Sequence, residues 1–123
     1  MAFHNHQLVM VFSWLVYRLT IRVCRYTFAF MAIKSFRCAD TQAIYEGRHP
    51  KRFRNIELAA QRKLEMLDAA VELRDLASPP GNRLERLLDD RAGQHSIRVN
   101  QKWRVCFVWT DAGPENVEIV DYH

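Results

Sequence analysis

The sequence predicts an α+β fold in which helical elements precede a sheet of about four strands and lie on one of its faces. Three observations carry this. Apolar residues recur at steps of three and four between about Lys51 and Leu73; short alternating runs follow a Ser78-Pro79-Pro80-Gly81 break; and the helical pattern comes first in the chain, with no internal repeat. The 123 residues are 49% apolar with only four glycines and four prolines, which describes one compact domain and excludes collagen-like, low-complexity and disordered chains.

Taken in chain order, residues 1–30 stand apart. They hold Arg18, Arg22 and Arg25 but no Asp or Glu, and seven aromatic residues. Their apolar stretch, Leu8 to Tyr17, is ten residues long, against the roughly 20 needed to span a bilayer. The arginines follow the stretch rather than precede it, which disfavours a secretory signal. Without this segment the formal charge falls from +4 to +1, since residues 31–123 carry 15 basic and 14 acidic side chains. Met31 therefore reads as the start of the domain, with residues 1–30 a non-native or poorly packed extension; an interfacial anchor is the alternative.

Ala32 to Arg37 reads as a short strand. Asp40 and Thr41 can cap a short helix through Ile44 and Tyr45, stopped by Gly47 and Pro50. Phe53, Ile56, Ala60, Leu64, Leu67 and Val71 then form the apolar stripe of an amphipathic helix, which closes near Arg74 to Ala77. Strands follow at Ser96–Val99, Trp103–Trp109 and Val117–Val120, the last after a turn at Ala112-Gly113-Pro114.

The first hairpin has a preferred register. A three-residue loop at Asn100-Gln101-Lys102 sets Val99 opposite Trp103 and Ile97 opposite Val105, giving both strands one apolar face. Asn100 tolerates the left-handed conformation such loops often need. Arg98 and Arg104 then face each other on the second face, where their guanidinium groups repel unless an anion lies between them or each pairs with a carboxylate such as Glu118.

Chemistry can lie in two places. The chain finishes Asp121-Tyr122-His123, a trio able to position, donate and accept protons, although terminal residues of this kind are also commonly solvated ends. With Arg91, Arg98, Lys102 and Arg104 it would combine cations for a phosphate with proton-transfer groups. That inventory suits metal-independent RNA cleavage by the substrate's own 2′-hydroxyl. His95 alternates with Ile97 and Val99, so a half-buried structural role competes with a functional one; His49 reads as surface. Cys24, Cys38 and Cys106 lack CxxC spacing and histidine neighbours, so neither a disulfide framework nor a zinc site is suggested, and a reducing, cytoplasmic setting fits. No GxGxxG, P-loop, HExxH or GxSxG pattern occurs.

Several separate segments are familiar: Ile33-Lys34-Ser35-Phe36, Arg52-Phe53-Arg54-Asn55-Ile56, Pro79-Pro80-Gly81-Asn82-Arg83-Leu84, the run Asp90 to Asn100, Trp103-Arg104-Val105-Cys106-Phe107 and Val117 to His123. Together, from Met31 to His123, the chain resembles HigB-type toxins of the RelE/ParE superfamily. The resemblance implies two N-terminal helices packed on a twisted, mostly antiparallel sheet, and a ribosome-dependent mRNA endonuclease neutralised by a HigA-type helix-turn-helix antitoxin. Operator DNA would be met only through that antitoxin, and neither a cofactor nor a membrane is implied. Carried over by position, Arg104 would hold the scissile phosphate and Asp121, Tyr122 and His123 would form the catalytic group. Arg91, Arg98, Lys102 and His95 would meet RNA. Leu88, Asp89 and Glu85 depart from the family pattern, where many relatives have lysine and glycine at the first two and some have histidine at the third. Loss of a cation and gain of an anion there weaken phosphate binding. Two other readings stay open: a ParE-like gyrase inhibitor, and a weakened binding module acting only in an antitoxin–operator complex.

Overall fold

A computed structural model describes residues 32–121; the expectations for residues 1–30 lie outside them. Helix α1 spans Ala39–Tyr45 and helix α2 spans Glu57–Ala69, ahead of strands β1 (Glu85–Arg86), β2 (His95–Arg98), β3 (Trp103–Thr110) and β4 (Gly113–Asp121). The four strands form one antiparallel sheet in the order β1-β2-β3-β4. Ile44, Leu64 and Leu67 from the helices pack on Ile97, Val105, Phe107 and Ile119 from one sheet face, all essentially without solvent exposure.

Helix α1 begins after Cys38 with no side-chain cap. Thr41, expected as a cap, is instead a fully buried helical residue. Its hydroxyl accepts the Ile119 N–H at 2.9 Å, on the edge of β4 that β3 leaves unpaired. The segment before α1, expected as a strand, makes a single parallel bridge, Phe36 to Val117. It is shortened because β4 carries one extra residue between Glu115 and Glu118. Asn116 takes φ 53° there and donates its N–H to Ser35 Oγ rather than to a ladder partner. Thr41 and the 34–37 segment together cover an edge that would otherwise invite pairing.

The long helix expected over Lys51 to Leu73 is broken at both ends. Lys51–Ile56 forms tight 3-10 turns, and Phe53 leaves helical geometry at φ −110°, ψ 20°. That deviation accompanies burial of the Phe53 ring edge-on against Trp103, with centroids 5.4 Å apart. At the other end, Asp75 accepts the N–H groups of Val71 and Glu72 at 3.0 and 2.9 Å, taking donors that would have continued the helix. Val71, placed on the apolar stripe by spacing, is 57% exposed. Near the helix end, buried Asp68 accepts the Ile33 N–H and the Tyr45 hydroxyl, both at 3.0 Å, which fastens the entering chain and α1 to α2.

The hairpin has the expected register, with Ile97 opposite Val105 and Arg98 opposite Arg104. Asn100 does not take a left-handed conformation; the residues other than glycine that do are Arg83, Asp89 and Asn116 among the described residues. It holds the loop with its side chain instead, Oδ1 accepting the N–H groups of Lys102 and Trp103 at 2.8 Å each. Because Ile97 and Val105 face the helices, Ser96, Arg98, Arg104, Cys106 and Glu118 face the other way.

Candidate nucleic-acid interface

Arg104 is the most constrained cation on that second face, its side chain only 11% exposed. Its Nε donates to Ser96 Oγ at 2.7 Å, and Nη2 donates to the carbonyl of Arg83 at 2.6 Å and of Ser96 at 3.4 Å. Glu85 Oε1 lies 3.6 Å from Nη2. Each contact follows from local chain geometry. Ser96 is next to Arg104 across the β2–β3 ladder, and Glu85 is opposite Ser96 on β1. Arg83 adopts the left-handed conformation at φ 45°, ψ 58°, where the Pro80–Asn82 turn gives way to Leu84.

Arg98 is held by its own loop, with Nε donating to the carbonyl of Asn100 at 3.1 Å. The repulsion foreseen between the opposed arginines is thus relieved by carbonyls and by Glu85, a carboxylate from the neighbouring strand. Glu118 serves elsewhere, 3.1 Å from Arg91 and 3.9 Å from Arg37. Arg83, Glu85, Arg98, Asn100, Gln101 and Arg104 line a groove of about 460 Å³. Three arginines against one carboxylate leave it cationic, and its rim carries amide and guanidinium groups able to donate hydrogen bonds.

The remaining expected residues are distributed differently. Arg91 lies on the same sheet face, held by Gln94 and Glu118 at 3.1 Å each. Lys102 sits at the hairpin, 3.7 Å from Asp121 and 5.5 Å from the Trp103 ring. Asp121 is opposite Trp103, whereas Val120 is opposite Arg104, so Asp121 belongs to the helix-facing register. Tyr122 and His123 lie outside the described residues. His95 shares the helix-facing register, its ring stacked on Phe107 at 6.3 Å and its Nδ1 buried without a hydrogen-bond partner. Burial pushes its pKa down, and Arg86 adds to the effect.

Sequence patterning did not single out Arg83 or Ser96 as contributors, and it noted Glu85 only as a departure from the family pattern. Ser96 was accessible in principle, since the hairpin register places it two residues from Arg98 on the arginine face. Beneath these side chains Cys106 is fully buried. Burial foremost, and then Glu118 and Glu85, raise its thiol from the ordinary 9.0 to about 11 against the pull of Arg91 and Arg104. It is a neutral floor at physiological pH, unfit as a nucleophile. Among the described residues no group of three or more His, Cys, Asp or Glu is placed to hold a metal ion, and no helix is long and apolar enough to cross a membrane.

An antiparallel sheet with helices on one face and an arginine-lined groove on the other defines a small α+β protein. Residues 34–123 match the family described as "RelE-like toxin of type II toxin-antitoxin system HigB", and the chain belongs to that family. It is 53% identical over 57 residues to Toxin HigB-1 of Vibrio cholerae, a match covering 46% of this chain and 60% of that relative. It is 34% identical over 73 residues to an uncharacterized Haemophilus influenzae protein, covering 59% of this chain and 72% of that one.

Proposed function

We propose that the chain is a ribosome-dependent mRNA endonuclease that inhibits translation and is neutralised by a HigA-type antitoxin, with residues 31–123 as the toxin domain. The observation that carries this reading is Arg104, largely buried yet aimed at a cationic groove, with three hydrogen bonds fixing its guanidinium. A cation held in place before the substrate arrives stabilises charge that develops on a phosphate during transfer, because no reorganisation is needed at the moment of reaction. Attack by the 2′-hydroxyl requires a group to take its proton and another to supply one to the leaving 5′-oxygen. Tyr122 and His123 are the groups proposed for those steps, and Asp121, on the helix-facing register beside Lys102, is proposed to position the end of the chain rather than to meet the phosphate. Arg83 and Arg98 would hold the backbone inside the groove, with Arg91 and Lys102 contacting RNA beyond it, whereas His95, stacked on Phe107 in the helix-facing register, is assigned no contact there. No metal is required by this scheme. The Glu85 carboxylate must yield its place at Arg104 to the incoming phosphate.

Induction of the full chain should stop growth and fragment mRNA, and Arg104→Ala or removal of Tyr122 and His123 should relieve both. Undiminished toxicity in both variants would overturn the proposal, and intact mRNA with DNA damage would replace it by gyrase poisoning. The Glu85–Arg104 pair favours one second reading, a weakened toxin that acts as a binding module with its antitoxin at operator DNA. Tight antitoxin binding by a protein that leaves growth unaffected would establish it.

A further inference from the structure

Arg104 owes its orientation to a carbonyl belonging to a turn, and turns are ordinarily among the more mobile parts of a protein. This turn is different because its centre is buried. Asn82, immediately before Arg83, has no solvent exposure. Its Nδ2 donates to the carbonyls of Leu76 and Ser78 at 3.0 and 3.3 Å, while its Oδ1 accepts from Lys63 Nζ at 2.5 Å. Lys63 is on α2, the helix that packs against the opposite face of the sheet. An amide has one acceptor and two donor hydrogens, and here both ends are engaged, so its orientation is fixed. The Asn82 side chain thereby ties the turn to α2. The next residue holds a left-handed conformation that is costly for arginine without surrounding support.

We propose that Lys63 and Asn82 form a positioning pair for Arg104, acting through the carbonyl of Arg83. Lys63 clamps the Asn82 amide, Asn82 fixes the turn, and the turn presents the carbonyl that receives Nη2 at 2.6 Å. Neither residue lines the groove. Lys63 loses part of its hydration in this position, and burial lowers its pKa, which fits a lysine employed for one partly buried contact rather than for solubility. The proposal deepens the nuclease reading above by naming what orients its phosphate-stabilising cation, and it rests on that reading only for its catalytic consequence.

The test uses the full chain without RNA. The ¹⁵N side-chain spectrum is recorded, the Arg104 Nε–H signal being assigned by its loss in Arg104→Lys. In wild type that proton, bonded to Ser96 Oγ, should exchange slowly with water. In Asn82→Ala and Lys63→Met it should exchange at least tenfold faster. Leu64→Val, a core substitution that lowers the melting temperature without touching the turn, should leave it within twofold of wild type. A merely structural role for the pair predicts lower melting temperatures but wild-type exchange in the folded protein, and that result overturns the proposal. If Asn82→Ala does not fold, unchanged exchange in folded Lys63→Met overturns it equally. Where wild type cleaves ribosome-bound mRNA, both variants should lose at least tenfold in kcat with KM little altered. Faster exchange in both variants of a protein that never cleaves RNA would support the positioning pair while ending the nuclease reading.

Discussion

On β3, Val105 and Phe107 face the helices, and Arg104 and Cys106 face the other way. All four are largely or wholly buried, but what buries them differs. On the helix side the cover is apolar: Leu64, Leu67, Ile44 and Phe53. On the other side it is a layer of mutually paired charges, Arg104 with Glu85 and Arg91 with Glu118, over a floor of Ser96 and Cys106. Hydrophobic burial is nondirectional and tolerates small displacements, whereas a guanidinium surrounded by carbonyls and a carboxylate is held by geometry. One eight-residue strand thus provides stability from one set of alternate residues and an oriented cation from the other.

The comparison breaks most plainly by exchanging which face is damaged. Phe107→Ala should cost about 3–5 kcal/mol, as for other large core truncations, read from the urea midpoint. Arg104→Ala should cost only about 1–2 kcal/mol of stability through lost hydrogen bonds. On the proposed nuclease reading it should nevertheless reduce mRNA cleavage by about 10²–10³-fold, the scale for removing one preorganised charge-stabilising donor. If Arg104→Ala destabilised the fold as much as Phe107→Ala, the charged face would be a second core rather than a site.

Cys106 probes the boundary between the faces. Its thiol titrates at about 11 in the folded protein against an ordinary 9.0, so the unfolded chain gives up this proton first as pH rises. Below pH 9 both states keep the proton and nothing is gained or lost. Between pH 9 and 11 the group should withdraw about 2–3 kcal/mol of stability. Urea unfolding of wild type and Cys106→Ala at pH 8 and pH 10.5 isolates the effect, since other titrating groups are common to both. Equal losses in the two proteins would mean that water reaches the floor beneath the charged layer.

The two faces were not equally legible in the sequence. Ile97, Val105 and the apolar stripe of α2 announce one face by period alone, and the same alternation placed Arg98 against Arg104. The charged face is assembled by features with no period: a left-handed Arg83, a two-residue strand carrying Glu85, and a buried Asn82 whose partner Lys63 reads on its own as a helix-surface charge. Periodicity also extended α2 too far, since Val71 kept the spacing while the carboxylate of Asp75 ended the helix from beyond it. Tyr122 and His123 were marked first by residue type, as proton-transfer groups after an apolar strand, and only the resemblance gave them a catalytic role over that of a solvated chain end.

The smallest effect concerns backbone strain. Two of the left-handed residues other than glycine, Arg83 at φ 45° and Asp89 at φ 55°, lie in the segments flanking β1, the strand that supplies Glu85 to the charged face. Asp89 opens the turn Asp89–Arg91, which delivers Arg91 to Glu118. Aspartate tolerates this conformation better than most residues, yet glycine adopts it freely. Asp89→Gly should therefore raise stability by up to about 1 kcal/mol, the relief of strain being partly offset by the greater freedom glycine gives the unfolded chain. Asp89→Val should lower it by about 1–2 kcal/mol, because a β-branched side chain is a steric outlier at positive φ. Both are read from thermal midpoints. If valine proved harmless, the segment would have refolded to ordinary geometry, and the Arg91–Glu118 contact should then be lost as well. A gain from glycine with that contact intact would show that strain is stored in the loop feeding the charged face, as a further left-handed residue, Asn116, is held in the bulge of β4.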